Sequence, residues 1–127
     1  MKIVLATILG FIASMGVNMA IINFGIPVTV EAGGDVDAVR LKVMESFTAM
    51  EYLIPLSAHI FGVLIGLIVA RLICKTSNIP IYIVGGLHMI GTVIVSFMIP
   101  APIWFNIVDL ILPLLIILYF LRTKRKK

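Results

Sequence analysis

Four apolar runs, each about twenty residues long, decide what this chain can fold into: Ile3–Phe24, Leu53–Ile73, Ile79–Ile99 and Pro102–Leu121. About 20 apolar residues at a helical rise of ~1.5 Å match the ~30 Å hydrocarbon layer of a bilayer. Inside lipid every backbone N–H and C=O must be bonded within the chain, so such runs fold as helices. The expected fold is therefore all-α: an integral membrane four-helix bundle forming a single transmembrane domain over residues 1–127.

Composition excludes the main rival, a soluble domain. The chain is 61% hydrophobic and 13% charged, with a mean hydropathy of +1.20. Soluble domains carry about 25% charged residues. The formal net charge of +4 is confined to the ends of the apolar runs, so it speaks for membrane orientation and not for nucleic acid. The single cysteine, Cys74, has no partner for a disulfide or a Cys-x-x-Cys redox pair, and reads as a buried small residue at a helix end.

The first run is longer than the ~7–15-residue core of a signal peptide and lacks a good cleavage site, so it reads as a retained helix. Ala6, Gly10, Ser14 and Asn18 recur every four residues on one of its faces. The second run carries a similar ladder in Ala58, Gly62, Gly66 and Ala70. Small residues at this spacing let helix backbones approach closely in lipid. Pro55 is tolerable in the first turn of the second run.

Residues 25–52 form the only long connection. Gly25 and Pro27 end the first helix, and Gly33-Gly34 marks a turn. Asp35 is placed to cap a short helix from Val36 to about Met50, with Asp37 favourable in its first turn. Val36, Val39, Val43, Phe47 and Met50 fall on one side of it, with Asp37, Arg40 and Glu45 elsewhere. That pattern suits a helix lying on the bilayer, capping the bundle or binding a partner. At the far end, Pro100-Ala101-Pro102 predicts a tight hairpin between the last two runs, followed by Trp104 at an interface.

Counting Lys and Arg orients the chain. With the N-terminus inside, the cytoplasmic side holds Lys2, Arg71, Lys75, Arg122, Lys124, Arg125, Lys126 and Lys127, against Arg40 and Lys42 opposite. Both termini are then cytoplasmic, and the connection with its short amphipathic helix is extracytoplasmic. The basic tail, residues 122–127, suits anchoring at anionic headgroups or docking on a protein.

Ionisable groups inside a membrane cost about 2.5–3.5 kcal/mol at a helix centre, which makes them the first functional candidates. Here they are Asp109, His59 and His88, accompanied by Asn18 and Asn106. At ~1.5 Å per residue, Asn18, His59 and Asp109 all lie ~9–10 Å below the extracytoplasmic surface. Asn106 is one turn above Asp109 on the same face. His88 is ~16 Å down, too deep for a direct contact with Asp109 without tilt or water. Pro113 removes the hydrogen bond to the Asp109 carbonyl, placing a free acceptor and an expected kink beside the acid. Two readings stay open: a pair that locks the bundle, and a proton, ion or solute site. Glu51 sits at the outer mouth, as a further candidate or simply an interfacial carboxylate.

Two histidines and one aspartate nominally supply three metal ligands, but not at the spacing of a local motif, so no metal and no cofactor is expected. No phosphate loop, nucleophile elbow or His-Glu-x-x-His is present, so no enzyme is expected either. The leading function is a non-enzymatic accessory subunit packing through its Gly/Ala faces, either as a homo-oligomer or within a larger membrane complex. The alternative is a small oligomeric transporter or channel using Asp109 and His59, since an unperturbed imidazole changes charge near pH ~6.5.

Ala58-His59-Ile60-Phe61-Gly62 and Pro100-Ala101-Pro102-Ile103-Trp104-Phe105, continuing to Asp109, carry a resemblance. The chain resembles a family of small bacterial four-helix membrane proteins with Ala-His-x-x-Gly and Pro-Ala-Pro-x-Trp-Phe elements. The resemblance implies four helices and a bacterial inner-membrane location, and draws attention to His59 and Asp109 without giving either a catalytic role. Pro113, so soon after Asp109, departs from the family's pattern.

Overall fold

The apolar runs become helices within a residue or two of their expected ends. The computed structural model describes residues 1–29 and 33–123. It contains α1 (Lys2–Gly25), α2 (Val36–Met44), α3 (Leu53–Ile73), α4 (Ile79–Met98) and α5 (Ile103–Arg122). All but α2 are long and apolar enough to cross a membrane. Lys124, Arg125, Lys126 and Lys127 of the basic tail lie outside the described residues.

α3 is the central helix, touching α1, α4 and α5. Its closest partner is α1, and the small residues explain why. A Cβ added at Gly66 would stand 2.6 Å from the Ser14 Cβ and 2.8 Å from the Gly10 carbonyl oxygen. A Cβ at Gly10 would stand 2.9 Å from both Ala70 Cβ and the Gly66 carbonyl oxygen. The two ladders read from the sequence therefore face each other, and this chain consumes them internally. They are not free to dock another subunit.

Two apolar cores result. Val63, Leu67, Ala70, Ile81, Val84 and Ile117 fill the half of the bundle away from α2. Tyr52, Leu56 and Phe105 fill the half beneath it. The polar side chains described below sit between them. α5 continues through Pro113 without interruption, and Pro113 is buried. At the end away from α2, Arg71 donates to Asn78 Oδ1 at 3.0 Å and to the Phe120 carbonyl at 2.5 Å, tying α3 to the last turn of α5. Cys74 is buried and free at the end of α3, as its neighbours in sequence suggest.

The connection departs from expectation in two ways. Asp35 caps α2, accepting from the Asp37 and Ala38 amides at 2.9 and 3.2 Å, but the helix stops at Met44 instead of about Met50. Ser46 Oγ donates to the Val43 carbonyl, and the Ser46 and Phe47 amides bond three residues back, tightening the chain into a turn. A new helical turn then starts at Thr48. Its amide and hydroxyl donate to Glu51 Oε2, both at 2.7 Å, in a capping box that leads into α3.

The second departure concerns which face of α2 meets the bundle. Of the expected apolar side, Val36, Val43 and Met50 remain exposed and Val39 and Phe47 are half-buried, whereas Met44 is buried and Arg40 and Leu41 are half-buried. The Tyr52 hydroxyl decides this. It donates to the Met44 carbonyl at 3.3 Å and the Pro100 carbonyl at 3.0 Å, pinning the end of α2 to the α4–α5 hairpin. Burial pushes the Tyr52 phenol up, so it stays a donor. Phe47, Trp104 and Phe105 surround its ring at centroid distances of 5.6, 6.3 and 5.0 Å.

Candidate functional site

Every long helix contributes a buried polar side chain to the bundle: Ser14 from α1, His59 from α3, His88 and Thr92 from α4, and Asp109 from α5. Helical periodicity puts His59 between Leu56 and Val63 on the buried face of α3, and Asp109 between Phe105 and Pro113 on that of α5.

Both Asp109 carboxylate oxygens face His59 Nδ1, at 2.8 and 2.7 Å, and Asp109 is 1% exposed. The Nδ1–H donates to the carboxylate. His59 and Asp109 thus share a proton across the α3–α5 contact, which gives the buried carboxylate a hydrogen-bond donor in the apolar interior. His88 joins this pair edge-on: the two imidazole rings are perpendicular, with centroids 5.9 Å apart. On its other side His88 Nδ1 lies 3.0 Å from Ser14 Oγ. Thr92 Oγ1 donates back to the His88 carbonyl at 3.1 Å.

The depth count explains how His88 enters. It is about one turn deeper than His59, and a Cβ at Gly62, three residues along α3, would come within 3.4 Å of His88 Cε1. A Cβ there would be in ordinary van der Waals contact with the His88 ring, and its tighter neighbours are the Ser14 carbonyl oxygen at 3.0 Å and the Asn18 Cβ at 3.2 Å. His88 therefore reaches the cluster through His59 and Ser14 and not through Asp109. Its Nε2 is buried and finds no partner among the described residues.

The other candidates are placed as follows. Asn18 is half-buried near Gly62 and lines a cavity shared with His59. Asn106 lies one turn before Asp109, with a buried Oδ1 that finds no partner among the described residues. Glu51 is exposed and committed to Thr48, whose amide and hydroxyl lower its carboxyl below the ordinary 4.5, so it stays outside the cluster. Gly10, Ala58, Gly62, Gly66 and Ala70 serve the helix contacts. Among the described residues, no three His, Cys, Asp or Glu side chains gather as a metal set.

The shared cavity has a volume of about 240 Å³ and lies between α1, α2, α3 and α4. Asn18 and His59 line it from the bundle, and Asp37 and Arg40 from α2. Its other walls are apolar, from residues such as Ile22, Met44, Val95 and Ile99. With Nδ1 committed to Asp109, Nε2 is the His59 nitrogen left for a second partner.

Comparison with protein-family models, curated proteins and solved structures finds no match for this chain. The chemistry of the site must carry the functional argument.

Two features of this site escape a residue-by-residue reading. Ser14 reads as one rung of a small-residue ladder, and its hydroxyl is the only sign of a polar role. Arg40 reads as a surface charge, yet it lines the cavity and donates to Asn23 Oδ1 at 2.8 Å. The Thr48-x-x-Glu51 spacing before an apolar run is a legible capping signal and accounts for Glu51.

Proposed function

We propose that this chain is a non-enzymatic protein of the bacterial cytoplasmic membrane, with both termini cytoplasmic, that moves a small solute together with protons. One observation carries the reading: a His–Asp pair buried among four apolar helices borders, through His59, a cavity at the α2 end of the bundle. A purely structural lock needs the pair but not the cavity.

The pair can take up a proton without leaving a net charge in the interior. With neutral His59 donating Nδ1–H to ionised Asp109, Nε2 carries a lone pair. A proton accepted at Nε2, with transfer of the Nδ1 proton to Asp109, leaves a neutral imidazole and a neutral acid. The pair's charge rises from −1 to 0, with one proton gained. Such a step is available to Asp109 and not to asparagine.

Reconstitution tests this reading. Vesicles containing a pH-sensitive dye would be given an acid exterior and, in turn, a small carboxylate, a small cation and a neutral amide. The wild-type chain is expected to speed proton influx with one of these over protein-free vesicles. Asp109→Asn is expected to abolish that gain while purifying with unchanged helix content. Full influx in Asp109→Asn would remove the pair from function.

A second reading, that of an accessory subunit or homo-oligomer, rests on Gly86 and Gly91. A Cβ at either would meet nothing within 4 Å, so α4 presents a small residue on each of two exposed flanks. Small residues on a lipid-facing surface admit another helix. Gly86→Leu is then expected to reduce the size of the native complex in mild detergent. An unchanged complex would leave that flank to lipid.

A further inference from the structure

We infer that the cavity beneath α2 binds a small monocarboxylate with a short apolar body, its carboxylate anchored by Arg40. This rests on the solute-binding reading above and names the class of solute.

The Arg40 guanidinium is held from two sides. Nη2 donates to Asn23 Oδ1 on α1 at 2.8 Å, and Nη1 lies 3.3 Å from Asp37 Oδ1. The Arg40 side chain is only 11% exposed, and its Nε is buried without a partner among the described residues. A fixed guanidinium with a buried, unanswered Nε–H calls for an acceptor brought by a ligand. A carboxylate meets that demand best, because guanidinium donors match its two oxygens.

The charges around the cavity favour an anion. Asp37 is its nearest carboxylate, but the Asp37 side chain is 86% exposed, so solvent screens it, while Arg40 is sheltered. The Asp109 carboxylate is masked behind His59. His59 and Asn18 complete the polar lining from the bundle side. The remaining walls are apolar and ask for an alkyl body. The volume of about 240 Å³ leaves room for a four- to six-carbon acid.

The position of α2 fits a site that fills and empties. It makes no close backbone packing with the long helices, and is tied to them by Arg40 to Asn23 and by Tyr52 to the Met44 carbonyl. Arg40 is thus both anchor for the solute and tether for the helix that covers it.

The test is binding of radiolabelled butyrate, butyramide and butylamine to the full chain in lipid nanodiscs. Butyrate is expected to bind at least tenfold more tightly than butyramide, and butylamine not to bind. Arg40→Gln should weaken butyrate at least tenfold. Leu41→Trp, which fills the cavity from α2 and leaves Arg40 in place, should abolish binding. Both variants lie on α2, outside the two cores, and monodisperse purification would check their fold. Equal binding of butyrate and butyramide, or unchanged butyrate binding in Arg40→Gln, would overturn the carboxylate assignment and leave the solute-binding reading standing. No binding of any probe beyond that of Leu41→Trp would overturn both.

Discussion

Glu51 shows how a single side chain can belong to the fold and not to the site. Its carboxylate accepts the Thr48 amide and hydroxyl, and these bonds hold its pKa below the ordinary 4.5. A depressed carboxyl stabilises the folded state above its unfolded pKa and releases that stabilisation as pH falls through the folded value. The start of α3 is therefore expected to fray on acidification below pH ~4.5, the region of an ordinary glutamate. The Thr48 amide resonance, followed by NMR from neutral to acid pH, checks this. Glu51→Gln should flatten the titration. A Thr48 shift unaffected by that substitution would remove the capping box.

At the scale of elements, the α1–α3 contact rests on absent side chains. Gly66→Ala places a methyl 2.8 Å from the Gly10 carbonyl oxygen, a backbone atom that cannot step aside. Overpacking of this kind costs about 1–3 kcal/mol, and a fall in detergent unfolding temperature measures it. Gly86→Ala is the contrast. Its methyl would meet nothing within 4 Å, and alanine favours a helix interior over glycine by about 0.5–1 kcal/mol. Gly86→Ala should therefore match or exceed the wild-type unfolding temperature. Equal losses in both variants would mean that α1 and α3 do not pack through Gly66.

For the whole molecule, the His59–Asp109 pair joins the central helix to the last helix between two apolar cores. Breaking such a pair from one side leaves an uncompensated polar group where water is absent, at about 3–5 kcal/mol. His59→Leu alone should thus be strongly destabilised. The double substitution His59→Leu/Asp109→Leu should recover most of that loss, because apolar packing replaces a desolvated pair. Thermal unfolding of the two variants side by side tests this. A double variant no better than the single one would show that the pair contributes net stability and not only function. Recovery of stability without recovery of proton influx would separate the two roles.

Much of the helical framework is legible in one dimension. The length of the apolar runs, the four-residue rhythm of small side chains and the Asp35 cap all act through local geometry. So does the presence of Asp109, His59 and His88 inside long helices, because a charge in an apolar run is anomalous wherever the helix comes to lie. Other features depend on the relative rotation and offset of separate helices. The His88 ring meets that of His59 only because α4 packs against α3 there, so the join between the histidines has no trace in their spacing. The Tyr52 hydroxyl holds the Arg40–Met44 side of α2 toward the bundle, against the apolar pattern of Val36, Val43 and Met50. The sequence by itself determined four helices, their small-residue faces and the presence of costly polar groups, because helix periodicity and lipid solvation are local rules. The tertiary structure alone decided which polar groups meet and that a cavity lies between His59 and Arg40, because those are distances between atoms far apart in the chain.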